Sequence, residues 1–293
     1  MKVLITGSEG FVGPHLIREL RAHHHEPVAC PMVRCDIRDA VAWEAVLSSD
    51  KPDAVVHLAA LSSIEQCARD PRMTWQVNTL AVEDMIRVQA RILPGSAFLF
   101  VSTSKVYEVQ EGPLGEQAPL NPADFYALTK LSADLRCAQL AHELNLRILR
   151  VRPFNHTGPG QGPGFLLGDL VARARAAAGR GRSEVEVGDP AAVVDLSDVR
   201  DVVRAYRLVL DKAPTGSVFN VGSGSTVRVA DLVGMISQAA RHTFVPRPMG
   251  SFRPGQKRDR HPRVADITLI ASSVGWRPRR ELVQTVADMW SVE

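Results

Sequence analysis

The stretch Val3-Leu4-Ile5-Thr6-Gly7-Ser8-Glu9-Gly10-Phe11-Val12-Gly13-Pro14 decides the fold of this chain. Val3-Leu4-Ile5 reads as a buried strand, and Phe11 to Leu20 carries helical spacing. A glycine-rich turn joins them, and strand, glycine turn and helix in that order give such a motif its meaning. Glycine permits the tight turn and a close backbone approach. The helix N-terminus then offers unpaired N–H groups and a partial positive charge to a diphosphate. Pro14 falls early in the helix, where a missing N–H costs little. Gly7, Gly10, Phe11, Val12 and Gly13 are therefore candidate cofactor-binding residues.

Working outward, short apolar runs alternate with amphipathic stretches. Strands are predicted at Pro27 to Cys30, Ala54 to Leu58, Ala97 to Val101 and Leu146 to Val151. Helices are predicted at Ala40 to Leu47, Thr74 to Arg91 and Ala127 to Leu144. Strands alternating with helices imply a parallel sheet covered on both faces, the doubly wound α/β class. The character changes after Val151. Arg152 to Gly164 holds four glycines and three prolines, which marks an irregular exposed loop. Helices follow at Phe165 to Ala178, Asp195 to Leu210, Arg228 to Ala240 and Glu281 to Trp290, with a short strand at Val218 to Val221. The expected organisation is a Rossmann-type domain over residues 1–164 plus about 191–221, and a smaller mixed α/β substrate-binding lobe over about 165–190 plus 222–293.

The 293 residues are 45% hydrophobic and 23% charged, with a formal net charge of +3. This is the balance of a soluble globular chain of one to two cores. No stretch reaches the roughly 20 apolar residues of a membrane span, and no secretory leader pattern precedes the first strand, so a cytoplasmic protein without a membrane partner is expected. Arginines are dispersed rather than packed in a tract, which disfavours nucleic acid. Cys30, Cys35, Cys67 and Cys137 show no metal-ligand spacing and read as reduced thiols in or near the core. His23, His24 and His25 fall where the first helix ends and point in different directions, so no metal site is expected.

Tyr126-Ala127-Leu128-Thr129-Lys130 places a tyrosine and a lysine four residues apart on one helix face. Lysine is scarce here, with six among 35 basic residues. A phenol with a pKa near 10 is a poor acid or base at neutral pH, and a nearby ammonium is expected to lower it. Upstream, Val101-Ser102-Thr103-Ser104 ends the fourth strand with hydroxyls where ligands of parallel sheets bind.

Together these residues resemble the extended short-chain dehydrogenase/reductase family, also known for its NAD-dependent epimerases and dehydratases. The GxxGxxG spacing and the YxxxK pair carry the resemblance. So do Cys35-Asp36-Ile37-Arg38-Asp39, His57-Leu58-Ala59-Ala60, Asn78, Ser102-Thr103-Ser104-Lys105-Val106-Tyr107 and Arg152-Pro153-Phe154-Asn155. The resemblance implies catalytic roles for Thr103, Tyr126 and Lys130. It implies cofactor contacts at Asp36, Ile37, Leu58, Ala59, Ala60, Asn78, Val101, Tyr126, Lys130 and Pro153. Sugar-nucleotide contacts are implied at Ser62, Thr103, Ser104, Lys105 and Asn155, and at Arg253 in a late segment only loosely like the family's. Relatives often pair as homodimers through the helices after the third strand and bearing Tyr126.

Within the family, the segments 152–161 and 198–206 look most like the reductases of GDP-4-keto-6-deoxy-mannose. The resemblance thus implies NAD(P)H-dependent reduction of a sugar-nucleotide 4-keto group. A 4-epimerase with retained NAD is the alternative, and a non-catalytic nucleotide sensor is a further one. Dehydratases place a glutamate where Lys105 stands, and a lysine replaces that carboxylate poorly. No acidic residue follows the second strand to pair with a ribose 2′-OH. Arg34 lies near enough to suggest a 2′-phosphate contact, which tips the expected cofactor from NAD(H) to NADP(H).

Overall fold

The computed structural model describes residues 1–250 and 262–291. Six strands form one parallel sheet: β1 (Lys2–Thr6), β2 (Glu26–Cys30), β3 (Ala54–His57), β4 (Ala97–Val101), β5 (Ile148–Pro153) and β6 (Val218–Val221). Their spatial order is β2-β1-β3-β4-β5-β6. The chain runs from β1 outward to β2, then crosses back to β3 on the other side of β1. The chain therefore leaves β1 and β3 toward helices on opposite faces of the sheet, the topological switch at which parallel sheets form a ligand crevice, at the C-terminal ends of the strands.

Side chains alternate between the two faces, as a pleated strand requires. Val3 and Ile5 join Leu16 and Leu20 of α1 (Gly13–Ala22) and the apolar stripe of α5 (Val199–Lys212). Leu4, Val55, Phe98 and Phe100 point the other way. They pack against α2 (Ala40–Asp50), α3 (Ala81–Ile92) and α4 (Phe125–Glu143). Both faces are covered, which is why the strands read as continuous apolar runs. Asp39, Asp124 and Asp198 cap the N-termini of α2, α4 and α5 with their carboxylates, each satisfying N–H groups the helix cannot.

A further apolar cluster gathers Leu170, Ala174, Val185, Leu232, Ile236 and Val286 away from the sheet. Around it lie the helices Leu166–Ala178, Val229–Ala240 and Leu282–Ser291 and paired short strands, Glu184–Val187 with Val245–Pro248. Asn155–Thr157 and Leu196–Asp198 make another short parallel pair.

Several expected boundaries move. The first helix begins at Gly13, because residues 7–12 form the turn, closed by Gly10 N–H donating to Gly7 O at 3.1 Å. The helix expected at 74–91 is broken into Pro71–Trp75, a π turn at Gln76–Leu80, and α3. The helix expected from Asp195 starts at Val199, since Leu196–Asp198 is extended and paired. The short helices Ile64–Arg69 and Thr268–Val274 went unread. All four cysteines are buried and free. No helix among the described residues is long and apolar enough to cross a membrane.

Candidate active site

At the mouth of the crevice Gly7 has φ +65°, a conformation few other residues adopt. A Cβ there would lie 2.7 Å from Ala59 N and 2.8 Å from Ala59 Cα. A Cβ on Gly13 would lie 2.2 Å from Ser8 O. The turn after β1, the loop Leu58-Ala59-Ala60 after β3 and the first turn of α1 thus meet backbone to backbone. Close backbone packing holds both positions to glycine and brings the N-terminus of α1 beside the loop after β3, an arrangement that fits a diphosphate. Gly7→Ala is expected to lower dinucleotide affinity at least tenfold in a titration, and to cost about 1–3 kcal/mol of folding stability by overpacking.

Beneath this turn, Thr6 Oγ1 and His57 Nδ1 are 2.9 Å apart, and Ala59 N–H reaches Thr6 Oγ1 at 3.4 Å. Burial, with the charge of Lys130 assisting, pushes the His57 imidazole down to about 3. The ring therefore stays neutral and braces β1 against β3. Asn78 is fully buried. Its Oδ1 accepts from Leu61 N–H at 2.9 Å, and its Nδ2 donates to Leu61 O at 2.9 Å and Thr129 Oγ1 at 3.1 Å. Asn78 thereby ties the loop after β3 to α4 from below.

On α4, Tyr126, Lys130 and Asp134 lie on successive turns. Tyr126 is half-buried, and the Thr103 hydroxyl lies close enough to its phenol to act on it. Burial pushes the phenol up to about 12, although the Thr103 hydroxyl acts in the opposite direction. This reverses the expected depression: burial dominates, and the opposing influence on the phenol comes from Thr103 rather than from the ammonium one turn away. Lys130 is buried, with Nζ 4.3 Å from the centroid of the Phe100 ring. Burial brings its ammonium down to about 8.

Asp134 is fully buried and anchors the stripe. It accepts from Arg150 Nη1 at 2.8 Å, and from Arg152 Nε at 2.9 Å and Nη2 at 3.1 Å. Burial pushes its carboxyl up, yet the Arg152 hydrogen bond and the two guanidinium charges outweigh this and hold it below the ordinary range. Arg152 Nη1 also donates to Tyr107 Oη at 3.0 Å, and Tyr107 donates to Asn220 Oδ1 at 2.7 Å. This network locks α4 onto β5 and β6, and so fixes where Tyr126 points.

The sequence-derived candidates separate into groups. Thr103 and Tyr126 lie side by side. Thr103 Oγ1 also accepts from Lys105 N–H at 3.3 Å, capping a short turn at Ser104–Val106 in which Ser104 is buried. Lys105 Nζ stands 3.6 Å from Asp124 Oδ2, the carboxylate whose Oδ1 caps α4. Ser62 and Asn155 are exposed, Val101 is half-buried and Pro153 is buried. Ile37 is in the core under α2, and Asp36 is closed on Arg38, with Nε at 3.0 Å from Oδ1. A groove of about 400 Å³ beside that pair is lined by Asp36, Arg38, Gln76 and Leu80. Arg253 lies outside the described residues. Phe11 stacks on His156, centroids 6.2 Å apart and planes 9° apart, joining the glycine turn to the loop after β5. Asp134 was missed, though its place four residues after Lys130 was a readable signal. The brace between Thr6 and His57 carried none, since their partnership exists only across paired strands.

The fold, the glycine turn and the Thr103–Tyr126–Lys130 arrangement define a class. This chain belongs to the NAD dependent epimerase/dehydratase family, whose family model matches residues 3–222. It is 33% identical to the GDP-6-deoxy-D-mannose reductase of Pseudomonas aeruginosa, over 97% of this chain and 94% of that one. It is 27% identical to a UDP-glucose 4-epimerase of Rhizobium leguminosarum bv. trifolii, over 98% and 96% of the two chains. The solved structure of RMD from Pseudomonas aeruginosa complexed with NADPH matches with a TM-score of 0.89 and 29% identity, covering 99% of this chain and 98% of that one.

Proposed function

We propose that this protein reduces the 4-keto group of a nucleoside-diphosphate 4-keto-6-deoxy-hexose, GDP-4-keto-6-deoxy-mannose, to the GDP-rhamnose alcohol. The observation that carries this reading is the pairing of Thr103 with Tyr126 beside a Lys105 that is turned to Asp124. The hydroxyl pair suits a carbonyl becoming an alkoxide. Water elimination would need a free carboxylate where Lys105 stands. The likeness to the Pseudomonas reductase supports the choice of sugar and base.

A bound nicotinamide dinucleotide would supply the hydride. The glycine turn and the N-terminus of α1 would hold its diphosphate, and Lys130 would hold the nicotinamide ribose. Thr103 donates a hydrogen bond to the carbonyl oxygen, stabilising the negative charge that develops there. Tyr126 then gives its phenolic proton to that oxygen, completing the alcohol. The resulting phenolate sits one turn from the Lys130 ammonium, which stabilises it. Asn155 and Ser62, exposed beyond β5 and β3, would meet the sugar nucleotide, with the helices Leu166–Ala178 and Val229–Ala240 beside it. The exposed Leu128 and Leu135, one heptad apart on α4, suit a contact with a second copy of the chain.

Freshly prepared GDP-4-keto-6-deoxy-mannose should oxidise the reduced nicotinamide cofactor at a rate proportional to enzyme. Absence of that turnover, together with NAD retained through purification and interconversion of UDP-hexose 4-epimers, would replace this reading with epimerisation.

A further inference from the structure

The cofactor's 2′ position was expected to meet Arg34, but the structure commits that side chain elsewhere. Arg34 Nη2 donates to both oxygens of Asp50, at 2.8 and 2.7 Å, and Nη1 donates to Ala29 O at 3.1 Å. The next arginine along the loop, Arg38, is closed on Asp36 through its Nε at 3.0 and 3.1 Å and its backbone N–H at 3.0 Å. Neither guanidinium following β2 is directed to a phosphate.

A carboxylate stands there instead. Glu9, at the tip of the glycine turn, accepts from Met32 N–H through Oε1 at 3.0 Å. Met32 is the second residue beyond β2, and β2 ends level with β1, Cys30 opposite Thr6. In dinucleotide-binding folds, the acid that hydrogen-bonds the ribose 2′-OH lies at the end of β2. Here β2 runs on into Pro31, Met32 and Val33, and Glu9 reaches the same place from the neighbouring turn. Its second oxygen has no hydrogen-bond partner among the described residues. The proximity is visible also at Cys30: burial chiefly, and the Glu9 charge in smaller part, push that thiol up to about 11.

We propose that Glu9 recognises the ribose 2′-hydroxyl and excludes a 2′-phosphate, so that this protein prefers NAD(H) to NADP(H). A carboxylate accepts from two sugar hydroxyls but offers nothing to a phosphate dianion except repulsion. This rests on the dinucleotide site described above. It sets the chain apart from its Pseudomonas structural relative, which was solved with NADPH.

The test is equilibrium binding to the whole protein of NADH, NADPH, ADP and adenosine 2′,5′-bisphosphate. NADH is expected to bind at least tenfold more tightly than NADPH, and ADP more tightly than the bisphosphate. Glu9→Gln keeps an acceptor for Met32 N–H and removes only the charge, so the turn should stay folded. It should bring the NADH and NADPH affinities within about threefold of each other, chiefly by improving NADPH. Arg34→Ala should leave their ratio unchanged. Tighter binding of NADPH by the native protein, an unchanged ratio in Glu9→Gln, or a selective loss of NADPH binding in Arg34→Ala would overturn the assignment. Failure of all four probes to bind would overturn the dinucleotide site itself.

Discussion

Tyr126→Phe is expected to reduce kcat for 4-keto reduction by ~10³-fold, within the range a positioned general acid contributes. The reasoning starts from position. Asp124 caps α4, so Tyr126 falls in the first turn, and the Asp134 anchor two turns on holds the helix against β5. Phenylalanine preserves the ring and its packing while removing the proton donor and the hydroxyl beside Thr103. Thr103 keeps its contact with Lys105 N–H, so the cost to stability should be about 1 kcal/mol. Dinucleotide affinity should change little, because the loss falls on an interaction made as charge develops on the substrate oxygen. Burial keeps the phenol protonated, up to about 12, which suits donation of a proton in the reductive direction throughout the neutral range. The reduction rate of the native protein should accordingly be flat through neutral pH and fall above about 8, as Lys130 loses its proton. Stopped-flow decay of the reduced cofactor separates these effects. A Phe variant with native single-turnover rate would remove Tyr126 from the chemistry.

Much of this arrangement could be read before any coordinates. The strand-turn-helix at residues 3–20 is local, and local patterns are what a sequence carries well. Alternation of apolar runs with amphipathic stretches identified all six sheet strands, including Val218 to Val221, because all but the edge strand β2 are buried on both faces. The short pairs, such as Val193–Val194 with Val227–Arg228, were not readable: two residues hold no periodicity, and their pairing is set by what lies across from them. The π turn around Asn78 was hidden for a related reason. Its backbone is shaped by the tie from Asn78 to Leu61 and Thr129, and a tie across 17 or 51 residues leaves no pattern along the chain. Arg34 illustrates the limit most directly. Its place in the sequence favoured a phosphate, but Asp50, at the far end of α2, claims it once the helix folds back. Glu9 shows the converse: nothing in its place between glycines indicated that the turn would carry its carboxylate to Met32 N–H, just beyond β2. Charge type and spacing are written in the sequence; which charges meet is decided by the packing.

The second large effect concerns Lys130, where activity and stability should move in opposite directions. Lys130→Met is expected to abolish turnover and to raise the stability of the cofactor-free protein at pH 7. The buried ammonium falls from 10.5 to about 8, a difference corresponding to about 3 kcal/mol at roughly 1.4 kcal/mol per unit. The sign follows from proton counting. Below pH 8 both folded and unfolded chains hold the proton, and the folded state bears the full cost of a desolvated charge. Between about 8 and 10.5 the unfolded chain keeps a proton that the folded chain has shed, so native stability rises with pH. Above that range neither state is charged and the penalty is gone. Methionine fills a similar volume over the Phe100 ring and carries no charge to bury, and replacing buried charges by apolar groups commonly stabilises by about 1–4 kcal/mol. Denaturant unfolding should therefore show Lys130→Met more stable than native at pH 7, with the gap closing as the pH is raised through 10. Bound dinucleotide should narrow the gap at pH 7 as well, since it stabilises the native protein and should bind the variant weakly. A variant less stable than native at pH 7 would mean that the ammonium is held by favourable contacts rather than tolerated for its chemistry, and Lys130 would then belong with Asp134 among the residues that hold α4 in place.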